Sequence, residues 1–160
     1  MRCLKLLFGF TFVLVAIGST VARGQDQSTR YAPIANADLK WSPLPSMAKG
    51  AQIAVLHGSP AKPGLFTIRV RIPANFKFAV HRQPDERVRT IISGTYYSAI
   101  GDQFDSSKLV AFPAGTFAHV PPRTWNFAET RTEEVIFQIT GIGPTGIEYL
   151  DAADDPRKAQ

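Results

Sequence analysis

From Leu65 to Ile72 the chain alternates strictly: Phe66, Ile68, Val70 and Ile72 are apolar, and Thr67, Arg69 and Arg71 between them are polar. A period of two sends successive side chains to opposite faces of an extended strand, so the first set predicts a core face and the second a solvent face. Shorter segments of related texture predict nine more strands: Gln52 to Leu56, Phe76 to His81, Val88 to Ile92, Thr95 to Ile100, Leu109 to Phe112, Thr116 to Val120, Trp125 to Ala128, Glu134 to Thr140 and Gly146 to Leu150. Glycine and proline punctuate them at Pro60 to Gly64, Pro73-Ala74-Asn75, Ser93-Gly94, Gly101-Asp102, Pro113-Ala114-Gly115, Pro121-Pro122 and Gly141 to Gly146. No amphipathic stretch of helical period interrupts the series. Ten short strands and no helix predict an all-β antiparallel barrel, closed or built of two sheets, because closure removes the unpaired edges that short strands would expose.

The beginning of the chain has a different texture. Met-Arg-Cys-Leu-Lys is followed by an apolar run from Leu6 to Gly18 and then by small and polar residues to Gln25. A basic start, a short apolar stretch and a small-residue site are the parts of a secretory signal peptide, and the run is shorter than the roughly 20 apolar residues that a membrane span needs. Residues 1–24 are therefore expected to be a leader, cleaved after Ala22 or after Gly24, and the mature protein to be secreted or periplasmic; an uncleaved anchor is the alternative. Residues 25–50 read as an N-terminal arm, polar and proline-dotted, with Trp41 as its large apolar anchor. Residues 51–150 form the barrel, and 151–160 a polar tail in which Arg157-Lys158 reads as solvated.

Removing the leader alters the charge picture. The whole chain has 18 basic and 13 acidic residues, but Arg2, Lys5 and Arg23 leave with residues 1–24, so the mature net charge is only slightly positive. No basic run or aromatic-interleaved basic patch marks a nucleic-acid surface. The single cysteine, Cys3, would also leave, which excludes disulfides, zinc-thiolate sites and thiol catalysis from the mature protein. No phosphate loop, nucleophile elbow or Ser-His-Asp order is present, which weighs against a hydrolase.

Two stretches carry a resemblance. The first runs from Ile72-Pro73 through His81-Arg82-Gln83-Pro84-Asp85-Glu86-Arg87 to Ser93-Gly94; the second runs from Pro113-Ala114-Gly115 through Pro121-Pro122-Arg123-Thr124-Trp125 to Phe127. Over roughly Trp41 to Pro156 the chain resembles the cupin superfamily, in particular small single-domain bacterial cupins of the type-2 conserved-barrel subgroup. The resemblance implies an antiparallel double-stranded β-helix, or jelly-roll barrel, and a homodimer. It also implies a metal site made from two histidines one residue apart, a later acidic residue and a histidine of the second stretch. In this chain those positions are His81, Gln83, Arg87 and Trp125. A neutral amide, a permanent cation and an indole that can only donate replace three of the four ligands. These four residues are accordingly expected to line a pocket for a small polar or aromatic molecule.

Two other readings stand beside that one. If Glu86 rather than Arg87 faces inward, His81, Glu86 and His119 make a two-histidine, one-carboxylate set that would hold a divalent transition metal such as iron, manganese, nickel or zinc, as in an oxygenase or isomerase. Alternatively the pocket is vestigial and the barrel is a structural or partner-binding dimer. Arg87 and Arg89 could both face solvent, and Trp125 could fill the core. Tyr96 and Tyr97, being adjacent on a strand, must face opposite ways, as must Glu133 and Glu134; His57 precedes a turn and reads as a loop residue. No membrane contact is expected after the leader is removed. N-terminal sequencing of the protein recovered from a secreting host should read from Arg23 or from Gln25, whereas an intact Met1 in a soluble cytosolic fraction would contradict export.

Overall fold

The computed structural model describes residues 33–158. The expected leader and the first part of the expected arm lie outside the described residues. Eleven strands are formed: β1 (Ser42–Pro43), β2 (Gln52–His57), β3 (Gly64–Ile72), β4 (Lys77–Arg82), β5 (Arg87–Ser93), β6 (Tyr96–Ile100), β7 (Val110–Phe112), β8 (Phe117–Val120), β9 (Asn126–Glu129), β10 (Val135–Gly143) and β11 (Glu148–Tyr149). Every pairing is antiparallel. They make a six-stranded sheet in the order β1-β2-β3-β10-β5-β8 and a five-stranded sheet in the order β11-β4-β9-β6-β7. Three short 3-10 turns are the only helical segments among the described residues. All ten expected strands are present, with ends moved by one to three residues; β1, two residues long, was too short to leave a pattern.

The alternation on β3 does what its period requires, with Phe66, Ile68, Val70 and Ile72 buried. They pack against Val135, Phe137 and Ile139 of the paired β10 and against Phe76, Phe78 and Tyr96 of the facing sheet. An aromatic chain crosses between the sheets: the Phe78 and Tyr96 rings meet edge-on at 5.5 Å, and the Tyr96 and Phe137 rings lie 5.3 Å apart. Each such side chain removed from water contributes about 1.5–3 kcal/mol. The tyrosine pair divides as a strand demands: Tyr96 points into this core, and Tyr97 stays on the outside beneath the Arg131 guanidinium, 3.8 Å away.

The end of the arm packs on the barrel. Ser42 and Pro43 pair with Ile53 and Gln52, Leu44 and Met47 pack against the core, and the Arg71 guanidinium lies 4.1 Å over Trp41. In the tail Arg157 and Lys158 are exposed, as expected of a solvated segment, but the tail is anchored. Asp155 is buried and forks with Arg157, which also donates to the Ile147 carbonyl at 2.9 Å, so this basic residue ties the tail down.

The Ser93-Gly94 turn between β5 and β6 depends on its glycine. Gly94 has φ +72°, and a Cβ there would sit 2.4 Å from the Glu134 carbonyl oxygen. Gly94→Ala combines a left-handed penalty of about 1–2 kcal/mol with a backbone clash, so urea unfolding should show a loss of at least about 2 kcal/mol; an unchanged midpoint would contradict this register.

Candidate functional site

Strand β5 turns charge inward. Arg87, Arg89 and Ile91 are buried and alternate with the partly exposed Val88 and Thr90, so two guanidiniums sit one above the other on the face that meets the core. Pairing holds β5 between two strands: Arg89 lies opposite Ile139 of β10 and Ala118 of β8, and Arg87 lies opposite Gly141 and Val120.

Arg87 has a carboxylate of its own. Asp85 accepts from Arg87 Nε at 2.9 Å through one oxygen and from Nη2 at 2.5 Å through the other, and the same guanidinium also donates to the Thr145 hydroxyl. Both members of the pair are buried. Space for it comes from Gly141, where a Cβ would stand 3.1 Å from an Asp85 carboxylate oxygen and 3.0 Å from the Phe66 ring. Burial pulls the Arg87 pKa down and Asp85 opposes that shift; a guanidinium nonetheless remains charged in a protein.

Arg89 has no such partner. It is 5% exposed, and its guanidinium carbon lies 4.8 Å from the Tyr96 ring and 5.0 Å from the Phe137 ring. Among the described residues it makes no ion pair, and its Nε has no hydrogen-bond partner. Burial raises the Tyr96 pKa, with the Arg89 charge and contacts to Ser98 and Arg89 opposing, so its phenol stays protonated.

His81 of β4 and Gln83 just beyond its end are also buried. His81 Nδ1 donates to the Ala79 carbonyl at 2.7 Å, and its pKa is lowered to about 4, chiefly by desolvation; the hydrogen bond to Ala79 opposes this and the charges of Arg89 and Arg87 add to it. The histidine is therefore neutral at pH 7. The Gln83 carbonyl accepts from the Arg123 amide at 2.7 Å, and the Asn126 side-chain amide donates to the His81 and Thr124 carbonyls at 3.0 and 3.1 Å. Between the sheets, bounded by β5, β6, β7, β8 and β9, lies a cavity of about 390 Å³. Arg89, Ser98 and Asn126 bring polar atoms to its wall, and Phe112, Ala118 and Val120 supply apolar surface. A second cavity, about 210 Å³ and mostly apolar, lies on the Arg87 side beside Leu44, Met47 and Ile139.

Of the four expected pocket residues, His81, Gln83 and Arg87 are brought into the interior, and Trp125 is not. The Trp125 ring carries the Arg82 guanidinium at 4.3 Å, and Arg82 forks with Glu148 on the outer surface. The alternative metal set does not assemble either. Glu86 and His119 bond to each other at 2.9 Å with both side chains more than half exposed, while His81 is 2% exposed. His119 shares the outward parity of Val88, its partner across the ladder. The inward positions of β8 are Ala118 and Val120, which have nothing to ligate with. No group of three His, Cys, Asp or Glu side chains that could hold a metal ion occurs among the described residues. The residues that sequence reasoning missed are Arg89, Asp85, Ser98 and Asn126. For Arg89 a signal existed, since it shares the parity of Arg87 and Ile91.

No family model and no curated protein matches the sequence. Solved structures do match in shape. The polyketide cyclase RemF from Streptomyces resistomycificus superposes with a TM-score of 0.65 at 12% identity, over 81% of this chain and 92% of that one. An RmlC-like cupin from Ralstonia eutropha gives 0.60 at 14% identity over 80% and 77%, and a cupin 2 conserved barrel protein from Rhodopseudomonas palustris gives 0.57 at 14% over 77% and 87%. The fold is that of the cupins. On this barrel the places that the resemblance gave to metal ligands hold Gln83 and Arg87, with Arg89 close by, and a dication beside two guanidiniums would meet repulsion that one neutral imidazole cannot offset.

His81 makes the barrel sensitive to acid. Below pH 6.5 the unfolded chain takes up a proton on this imidazole, and the folded chain does not until about pH 4. The unfolded state then binds more protons, so stability falls as pH drops through that window, by about 3 kcal/mol in all. Urea unfolding at pH 7 and pH 4 should show this extra loss in wild type and lack it in His81→Asn. Equal losses in both proteins would contradict a neutral buried histidine.

Proposed function

We propose that this protein is an exported cupin-fold binding protein that takes a small organic molecule into the cavity between its sheets without a resident metal ion. One observation carries the reading: the cavity of about 390 Å³ has apolar walls and a few polar residues, the buried Arg89, Ser98 and Asn126 with Lys108, His119 and Thr124. This is the usual make-up of a small-molecule site, and the volume is toward the small end of the common range. The basic start and apolar run of residues 1–24 support export.

Binding is favoured over turnover by the state of two buried groups, His81 and Tyr96, while Lys108 and His119 on the cavity wall are paired with Asp105 and Glu86. His81 is held neutral with a pKa of about 4, and the Tyr96 phenol is shifted upward from its ordinary value. General acid–base catalysis works best when a group titrates near the working pH, and neither does. Similarity in shape to a polyketide cyclase supports a barrel that admits organic molecules, and the acid–base groups that turnover would need are not supplied by His81 or Tyr96.

A cavity-filling variant tests this. Ala118 lies on the cavity wall, and Ala118→Phe would occupy the volume. Thermal-shift screening of small aromatic and aliphatic fragments should find binders that stabilise wild type, with or without EDTA, and that have no effect on Ala118→Phe. Binding that survives the filled cavity, or that disappears with EDTA, would contradict the proposal.

A further inference from the structure

We propose that the molecule taken up is a monoanion, a small organic carboxylate whose charge is met by Arg89; this rests on the binding reading above and specifies its ligand. Arg89 is a cation out of water with no counter-charge. The buried acids among the described residues are Asp85 and Asp155. Asp85 uses both oxygens on Arg87, and Asp155 uses both on Arg157. Of the other titratable groups near Arg89, Arg87 is itself a cation and His81 and Tyr96 are neutral. An unpaired buried charge is costly, and proteins ordinarily pair it or neutralise it, yet a guanidinium cannot be deprotonated.

The Tyr96 and Phe137 rings compensate in part. Contact between a guanidinium and an aromatic ring offsets charge, and here it leaves Arg89 on the wall of the cavity without a carboxylate partner, its Nε buried and unbonded. A guanidinium held by two rings beside a cavity is placed to meet a carboxylate, the usual partner of such a group. One free cation matches one negative charge, so a monocarboxylate fits better than a phosphate dianion. Ser98 and Asn126 line the same wall with their donors held by the Phe127, His81 and Thr124 carbonyls, and Phe112 and Val120 give an organic tail an apolar surface.

Calorimetric titration of benzoate and of its neutral counterpart benzamide into wild type, Arg89→Met and the surface control Arg82→Gln tests this. Benzoate should bind wild type and Arg82→Gln at least about 10-fold more tightly than benzamide. Arg89→Met should weaken benzoate by about 10- to 100-fold, the range for hydrogen bonds to a charged group, and leave benzamide within a factor of about three. Because methionine removes an unpaired buried charge, the variant should melt no lower than wild type. If it does not fold, the benzoate-to-benzamide ratio in wild type decides by itself. Equal affinities for the two compounds, or a benzoate affinity that Arg89→Met leaves unchanged, would overturn the anion assignment while leaving the cavity reading intact. Binding of neither compound, together with failure of every fragment in the cavity screen, would overturn both.

Discussion

Two guanidiniums on the inner face of one strand have to be compensated out of water, and the interior of this barrel is arranged around that requirement. The strand period makes it unavoidable. Once Ile91 belongs to the core, Arg89 and Arg87 must face the same way. The two charges are then handled differently. Arg87 receives a carboxylate from two residues earlier, with a glycine on the neighbouring strand leaving room for it. Arg89 receives two aromatic rings and a cavity. Desolvation, with the two cations adding to it, then keeps His81 neutral.

That electrostatic arrangement sets this chain apart from the metal-binding pattern it resembles. A metal site concentrates neutral or anionic donors around a dication. Here the corresponding part of the barrel concentrates positive charge around a single Asp85 carboxylate that is already engaged. The same scaffold geometry, buried residues two apart on β5 and at the end of β4, suits the proposed anion better than a metal ion. What decides between them is the charge of a few side chains, and the backbone is indifferent.

Much of the fold was legible because alternation and Gly/Pro punctuation are local signals. Strand β10 shows where that ends. Gly141 and Gly143 read as a turn, so the strand was expected to stop at Thr140; it continues to Gly143 because glycine at 141 accommodates Asp85 and Phe66, a requirement imposed by residues distant in sequence. The site was partly legible by the same logic. Spacing of two placed His81 and Gln83 together, and parity from Ile91 could have placed Arg89. Trp125 was assigned by motif offset, but the chain enters β9 at Asn126 and it is Asn126 that is buried, which puts the indole outside against Arg82. The pairing of Asp85 with Arg87 bridges a turn, where strand parity gives no guidance.

The central claim is that Arg89 keeps a charge without a carboxylate partner on the cavity wall for an anion. Nitrogen-15 NMR of the arginine Nε–Hε signals at pH 7, with the Arg89 resonance assigned through its loss in Arg89→Met, reports on that guanidinium. On titration with sodium benzoate, the account predicts a saturable downfield shift of the Arg89 Hε proton, larger than that of any other arginine and absent with benzamide. An Arg89 signal that does not move, or that moves equally with benzoate and with sodium chloride at the same ionic strength, would contradict it.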